Sequence, residues 1–262
     1  MPAPTILLAF LALVPSLVVA QKAGLPWILI SHLDINQFLT TGSKVDWYYT
    51  YSTTPVSTSS PVEFVPMLPG QQQVADWDSS INSTIQNLGV THVLGFNEPN
   101  EQGGANLDPV TAAVLWKQHI QPLKAQGVLL GSPAPSDRPN GLQWLKDFMQ
   151  FCNGCTVDFI AMHEYTTSTS SFTASVEQYH NAFPGKPIWV TEWACEDFNG
   201  GTAVTEAEAS SFMKTTQAFL DSASYVERYA WFGASASGPS NPIALMDTSG
   251  KINALGEQYI GE

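Results

Sequence analysis

Residues 93–100 read Val-Leu-Gly-Phe-Asn-Glu-Pro-Asn, and residues 188–193 read Ile-Trp-Val-Thr-Glu-Trp. Each is a short apolar run that stops at a carboxylate, Glu98 in the first and Glu192 in the second. A buried strand ending this way, just before a loop, holds its carboxylate at the rim of a sheet or barrel. Pro99 fixes φ and lacks an N–H, which turns the chain away from the first strand. Asn97, one residue earlier, carries an amide able to hydrogen-bond a sugar hydroxyl. Two such carboxylates facing one another are what acid/base hydrolysis of a glycosidic bond requires.

Outward from these two runs, the chain repeats the same punctuation. Strand-like runs at residues 26–30, 44–49, 62–68, 128–132, 157–163 and 228–232 join those at 92–97 and 187–192 to make eight. Helical patterns lie between them at 34–39, 77–88, 109–126, 142–151, 171–183 and 205–223, the last opening with Thr205 and Glu208 as a capping box. Strands alternating with helices imply parallel pairing through right-handed crossovers, and eight strands close a barrel. The expected fold is α/β, a single (β/α)8 TIM barrel over residues 21–262. An open doubly wound sheet is the competitor, but the glycine-rich turns that mark its nucleotide sites are absent. The Ser/Thr-rich stretch 52–60 reads as a loop.

Residues 5–20 are apolar and end in Val18-Val19-Ala20, which suits a signal peptide over residues 1–20 cleaved after Ala20. No later apolar run reaches the roughly 18 residues that span a bilayer, so a secreted protein, extracellular or in a cell wall, is expected, with no membrane attachment after cleavage. The net charge is −13 with only 13% charged residues. A chain so poor in Lys and Arg is not expected to bind nucleic acid. Cys152, Cys155 and Cys195 allow one disulfide and one free thiol in an oxidising compartment; both a local Cys152–Cys155 bridge and a bridge to Cys195 stay open. Asn82-Ser83-Thr84 is a glycosylation sequon, of use only if exposed.

The motifs Val45-Asp46-Trp47-Tyr48-Tyr49, Glu63-Phe64-Val65-Pro66-Met67-Leu68, Leu94–Asn100, Asp158-Phe159-Ile160-Ala161-Met162-His163 and Trp189-Val190-Thr191-Glu192 resemble those of clan A glycoside hydrolases. Taken together they look like glycoside hydrolase family 128, the fungal endo-β-1,3-glucanases. The resemblance implies Glu98 as general acid/base and Glu192 as nucleophile of a retaining double displacement that uses no metal or other cofactor. It also implies Asn97 on the substrate 2-hydroxyl, His163 and Tyr165 orienting Glu192, and Trp231 as a floor beside the cleaved bond. Sugar rings pack on aromatic faces, so Trp193, Trp47 and Tyr49 join the expected substrate contacts, while Trp77, Trp116 and Trp144 read as outer-layer packing.

Two departures stand out. The chain has His163-Glu164-Tyr165 where His-Trp-Tyr is expected, and Thr50-Tyr51 where Asn-Trp is expected. They imply a lost stacking platform and an added carboxylate near the cleft. His163-Glu164 also begins like a zinc-protease helix, but Thr167 stands where the second His belongs, so no metal site is expected. The reading is a monomeric, secreted endo-β-1,3-glucanase acting on β-1,3-glucan. A related endoglycanase for β-1,4-glucan, mannan or xylan, and an inactive glucan-binding protein, are the alternatives.

Overall fold

The computed structural model describes residues 21–29, 33–198, 200–201, 203–236 and 241–262. The leader expected over residues 1–20 lies outside the described residues, as do Ile30 and His32.

Eight strands follow one another round the molecule: β1 (Ala23–Pro26), β2 (Val45–Tyr49), β3 (Glu63–Phe64), β4 (His92–Val93), β5 (Leu129–Leu130), β6 (Ile160–Tyr165), β7 (Ile188–Ala194) and β8 (Val226–Trp231). Every strand pairing is parallel, in the order β3-β2-β1-β8-β7-β6 with β4 beside β5. The two seams are spanned by parallel bridges, Met67 with Leu94 and Gly131 with Phe159. Each strand is thereby linked to the next in chain order, and β8 to β1, which is the expected (β/α)8 barrel.

Helices α1 (Val74–Leu88), α2 (Pro109–Leu115), α3 (Gly141–Phe151), α4 (Thr169–Ala182), α5 (Glu206–Ser222) and α6 (Ala254–Ile260) follow β3 to β8 in turn. Among the described residues the β1–β2 crossover holds only the short 3-10 turn Ile35–Phe38, and the β2–β3 crossover is the Ser/Thr-rich loop. The long helix expected over 109–126 is broken: α2 passes into a π turn, Trp116–Ile120, and then a 3-10 segment, Gln121–Gln126. Pro122 removes a backbone donor and crowds the preceding turn, so a continuous α-helix cannot run through it. The capping box of α5 forms as read. The disulfide is the local one, Cys152–Cys155, and Cys195 is a buried free thiol.

Strand side chains alternate between two cores. Trp47, Tyr49, Val65, Met67, Leu94, Phe159, Ala161, Trp189 and Ala230 fill the barrel interior. Tyr48, Ile160, Met162, Val190, Trp193, Tyr229 and Trp231 join the larger core between strands and helices. The interior is a plug rather than a pore: Trp189 stacks on Phe159 at 3.9 Å and lies 4.4 Å beneath the Arg228 guanidinium. Arg228 pairs with Glu63, whose carboxyl, despite burial, is held down to about 2 by His92, Arg228 and Thr91. A packed, charge-matched base leaves only the opposite mouth for chemistry.

Candidate active site

The mouth is built at the carboxyl ends of the strands. β6 and β7 carry three of its groups. On β6, Phe159 and Ala161 face the barrel interior, and His163 and Tyr165 continue that inward face. On β7 plain alternation from the inward Trp189 would turn Glu192 outward. The pairing with β8 slips between Val190 and Trp193, and this bulge re-aims the carboxylate into the mouth. β7 then runs on to Ala194, so Glu192 is not its last residue.

Glu98 reaches the mouth differently. Its backbone has φ +45, in the left-handed region that non-glycine residues rarely adopt. Its N–H donates to the Ala134 carbonyl at 2.9 Å, which pins the strained residue to the strand-five exit. Gly104 packs against it so closely that an added Cβ would lie 2.3 Å from the Glu98 carbonyl oxygen and 2.6 Å from its Cβ.

Between the two carboxylates sits His163, wholly buried, with Nδ1 3.1 Å from Glu98 Oε1 and 3.4 Å from Glu192 Oε2. Both neighbours are acceptors, so Nδ1 carries the hydrogen. One ligand-type atom from each of the three residues lies within 4.8 Å of the others. Such a donor set could in principle close on a cation. Glu192, however, is already filled with donors: Tyr51 hydroxyl to Oε1 at 2.7 Å, Tyr49 hydroxyl to Oε1 at 3.3 Å, and Tyr165 hydroxyl to Oε2. The arrangement is one of protons shared among an imidazole and two carboxylates.

Burial pushes all three tyrosine hydroxyls well above their usual range, and the charge of Glu192 adds to it. They therefore stay protonated donors to Glu192. Burial alone would raise Glu98, but its hydrogen bond to His163, the imidazolium charge and Arg138 outweigh that and bring it below the ordinary value. Burial opposes charge on His163, yet Glu192 and Glu98 win and its acidity falls, so it keeps its proton to higher pH.

A cavity of about 480 Å³ lies over this group, lined by Asn97, Glu98, Glu101, Asp137, Arg138, Tyr165 and Glu192 and rimmed by Ile28, Phe198 and Phe232. Arg138 Nε bonds Glu101 Oε1 at 3.1 Å. Thus Glu98, Glu192, Asn97, His163 and Tyr165 come together at the mouth. The other expected substrate contacts do not reach the surface. Trp193 is wholly buried against Phe172 of α4 and Phe212 of α5, because it follows the inward Glu192 and must face outward. Trp231 is also wholly buried, its Nε1 donating to the Ile243 carbonyl; the cleft residue is its neighbour Phe232. Trp47 lies deep in the barrel plug with its Nε1 on the Lys22 carbonyl, and Tyr49 sits under Glu192, out of a sugar's reach.

Glu164 is a further correction. It does not enter the cleft. It faces α4 from the outer side of β6, opposite Trp193, and accepts a hydrogen bond from the Ser175 hydroxyl. Burial, with a smaller push from Asp137, raises its carboxyl to about 7. Tyr51, singled out in the sequence only within a departure, has φ +54 and places its hydroxyl on Glu192, and the sequence left the exposed Phe198 unmarked.

The glycosyl hydrolase catalytic core family matches residues 24–259. This chain belongs to that family. As a glycoside hydrolase it is similar to β-1,3-glucanases of family 128. One is an endo-β-1,3-glucanase variant from Amycolatopsis mediterranei in complex with laminarihexaose, 33% identical over 91% of this chain and 98% of that one, with TM-score 0.74. Another, an endo-β-1,3-glucanase from Sorangium cellulosum, is 29% identical over 92% and 98%, with TM-score 0.75. An exo-β-1,3-glucanase from Cryptococcus neoformans is 28% identical over 91% and 98%, also at 0.75. Among curated proteins, Alkali-sensitive linkage protein 1 of Schizosaccharomyces pombe is 35% identical over 92% of this glycoside hydrolase. The chain spans 45%, about half, of that relative's length.

Proposed function

We propose that this glycoside hydrolase is a secreted, retaining endo-β-1,3-glucanase in which Glu192 is the nucleophile and Glu98 the general acid/base. The observation that carries the reading is the spacing of the pair. One oxygen of each lies within 4.8 Å of the other, which supports the close spacing of retaining enzymes, roughly 5–5.5 Å between carboxyl groups, over the roughly 6.5–9.5 Å of inverting ones.

In the first step Glu192 attacks the anomeric carbon while Glu98 gives its proton to the departing glycosidic oxygen. In the second, Glu98 takes a proton from water, which displaces Glu192 from the sugar. Three tyrosine hydroxyls donate to Glu192 and aim it. Glu98 needs its proton at the outset. Burial is already the largest influence on it, and a sugar that expels the remaining water disfavours the anion further, so Glu98 becomes less acidic and holds its proton. Once Glu192 is esterified its charge is gone, and His163 then favours the Glu98 anion required as base.

The substrate class rests on the similarity to β-1,3-glucanases. Endo action is supported by a cleft that continues past the acidic pair. Secretion is supported by the leader-like segment and by the Cys152–Cys155 disulfide; Asn82 is exposed on α1, so a glycan removable by an amidase would report passage through the secretory route. The test of the chemistry is a pair of variants, Glu98→Gln and Glu192→Gln, assayed on laminari-oligosaccharides with the first-formed anomer followed by NMR. Each variant is expected to lose turnover by about 10²–10⁴-fold, and the wild type to release the β-anomer. Undiminished hydrolysis in either variant, or an α-anomer first, contradicts the assignment.

A further inference from the structure

Beyond Asn97 the catalytic cavity opens into a second one of about 660 Å³, and the two share Tyr51, Asn97 and Gly103. Their linings differ in kind. The first carries Glu98, Glu101, Asp137, Arg138 and Glu192. The second has no acidic or basic side chain: Gln71, Gln72, Gln73, Gln102 and Asn106 surround it, over a floor that includes Gly70 and Gly104. All five amide residues are exposed, and among the described residues none of their side-chain amides has a hydrogen-bond partner in the protein. Asn97 Oδ1, at the junction, is buried and equally without a partner, a costly state for an acceptor unless a ligand completes it. Asn106 is held at φ +48 in the wall.

We propose that this amide-lined cavity is a second sugar-binding arm, which reads the hydroxyls of an uncharged glucan chain away from the bond that is cut. An amide offers both donor and acceptor, so it matches hydroxyls in either orientation, whereas a charged lining would favour acidic or amino sugars. Tyr51 is the single aromatic residue of the lining, so recognition here is by hydrogen bonds rather than ring stacking. The size falls within the roughly 300–1,000 Å³ of ligand sites. Gln71, Gln73 and Asn106 are therefore specificity-determining residues that make rate depend on chain length. The inference rests on the glucanase reading above.

Two variants test it in the full chain. Gln71→Ala/Gln73→Ala removes two amides. Gly103→Trp fills the junction, where an added Cβ meets nothing within 4 Å and the backbone is not left-handed. The readout is the ratio of kcat/KM for laminarihexaose to that for laminaritriose. Losing about two hydrogen bonds lowers that ratio by roughly tenfold in the double variant, and Gly103→Trp lowers it at least as far. A wild-type ratio in both variants, with hydrolysis intact, overturns the arm. Binding gives an independent measure: laminarihexaose titrated into Glu192→Gln with and without the arm substitutions is expected to weaken by about tenfold, and unchanged affinity also overturns it. A wild-type chain that binds laminarihexaose through this arm without cleaving it would sink the hydrolytic reading and leave the arm standing.

Discussion

Replacing Glu164 by Gln isolates a buried acid that the catalytic scheme does not use. The carboxyl lies between β6 and α4, facing Ser175 and Tyr179 of the helix, with Asp137 nearby and, among the described residues, no cation opposite. In the folded state it titrates at about 7, against a reference of 4.5. Between those values the folded chain holds a proton that the unfolded chain releases, so stability falls as pH rises through that window. A shift of that size corresponds to about 3 kcal/mol at 1.36 kcal/mol per pH unit. For a chain of this length that is on the order of 6–12 °C in Tm. Calorimetric melting of wild type and Glu164→Gln from pH 4 to pH 8 checks it. The two are expected to melt close together at pH 4, where the carboxyl is neutral and the amide a fair mimic. They should separate as pH rises, with Gln the more stable at pH 8. Parallel curves across pH 4.5–7 would refute the reasoning, because they would mean the carboxyl ionises as freely in the folded chain as in water.

Four other perturbations have clear directions. Tyr51→Phe removes the 2.7 Å donor from Glu192; a hydrogen bond to a charged group is worth about 1.5–3 kcal/mol, so kcat should drop by roughly 10–100-fold while the Tm holds. Gly104→Ala drives a methyl into the Glu98 backbone and should depress kcat in a chain whose circular dichroism is unchanged. Trp193→Phe should lower Tm and leave KM alone, whereas Phe198→Ala, at the exposed rim, should raise KM and leave Tm alone; the reverse pattern would restore Trp193 to the substrate site.

The sequence carried the barrel because eight apolar runs each had room for a crossover, and it carried Glu98 and Glu192 because both close such runs. It also marked His163 and Tyr165, which share one strand face. Three of its errors share one physical origin. Trp193, Trp231 and Glu164 each lie one residue from a group that faces the mouth, and a step of one along a strand exchanges the inside for the helix layer. Alternation from Glu192 would have placed Trp193 correctly. Nothing in the sequence announced the slip after Val190 that turns Glu192 inward, since a bulge depends on how two strands register. The left-handed turn at Tyr51 was equally silent, because tyrosine is an unfavourable residue for it.

The described non-glycine residues with left-handed backbones are three: Tyr51, Glu98 and Asn106. All three border the two cavities, and each such conformation costs on the order of 1–3 kcal/mol. The rest of the barrel thus subsidises its own working edge. Selection or engineering for heat resistance would find its cheapest gains at these positions, and would blunt the enzyme by taking them; thermostable descendants should be sought in the plug and the outer helices instead.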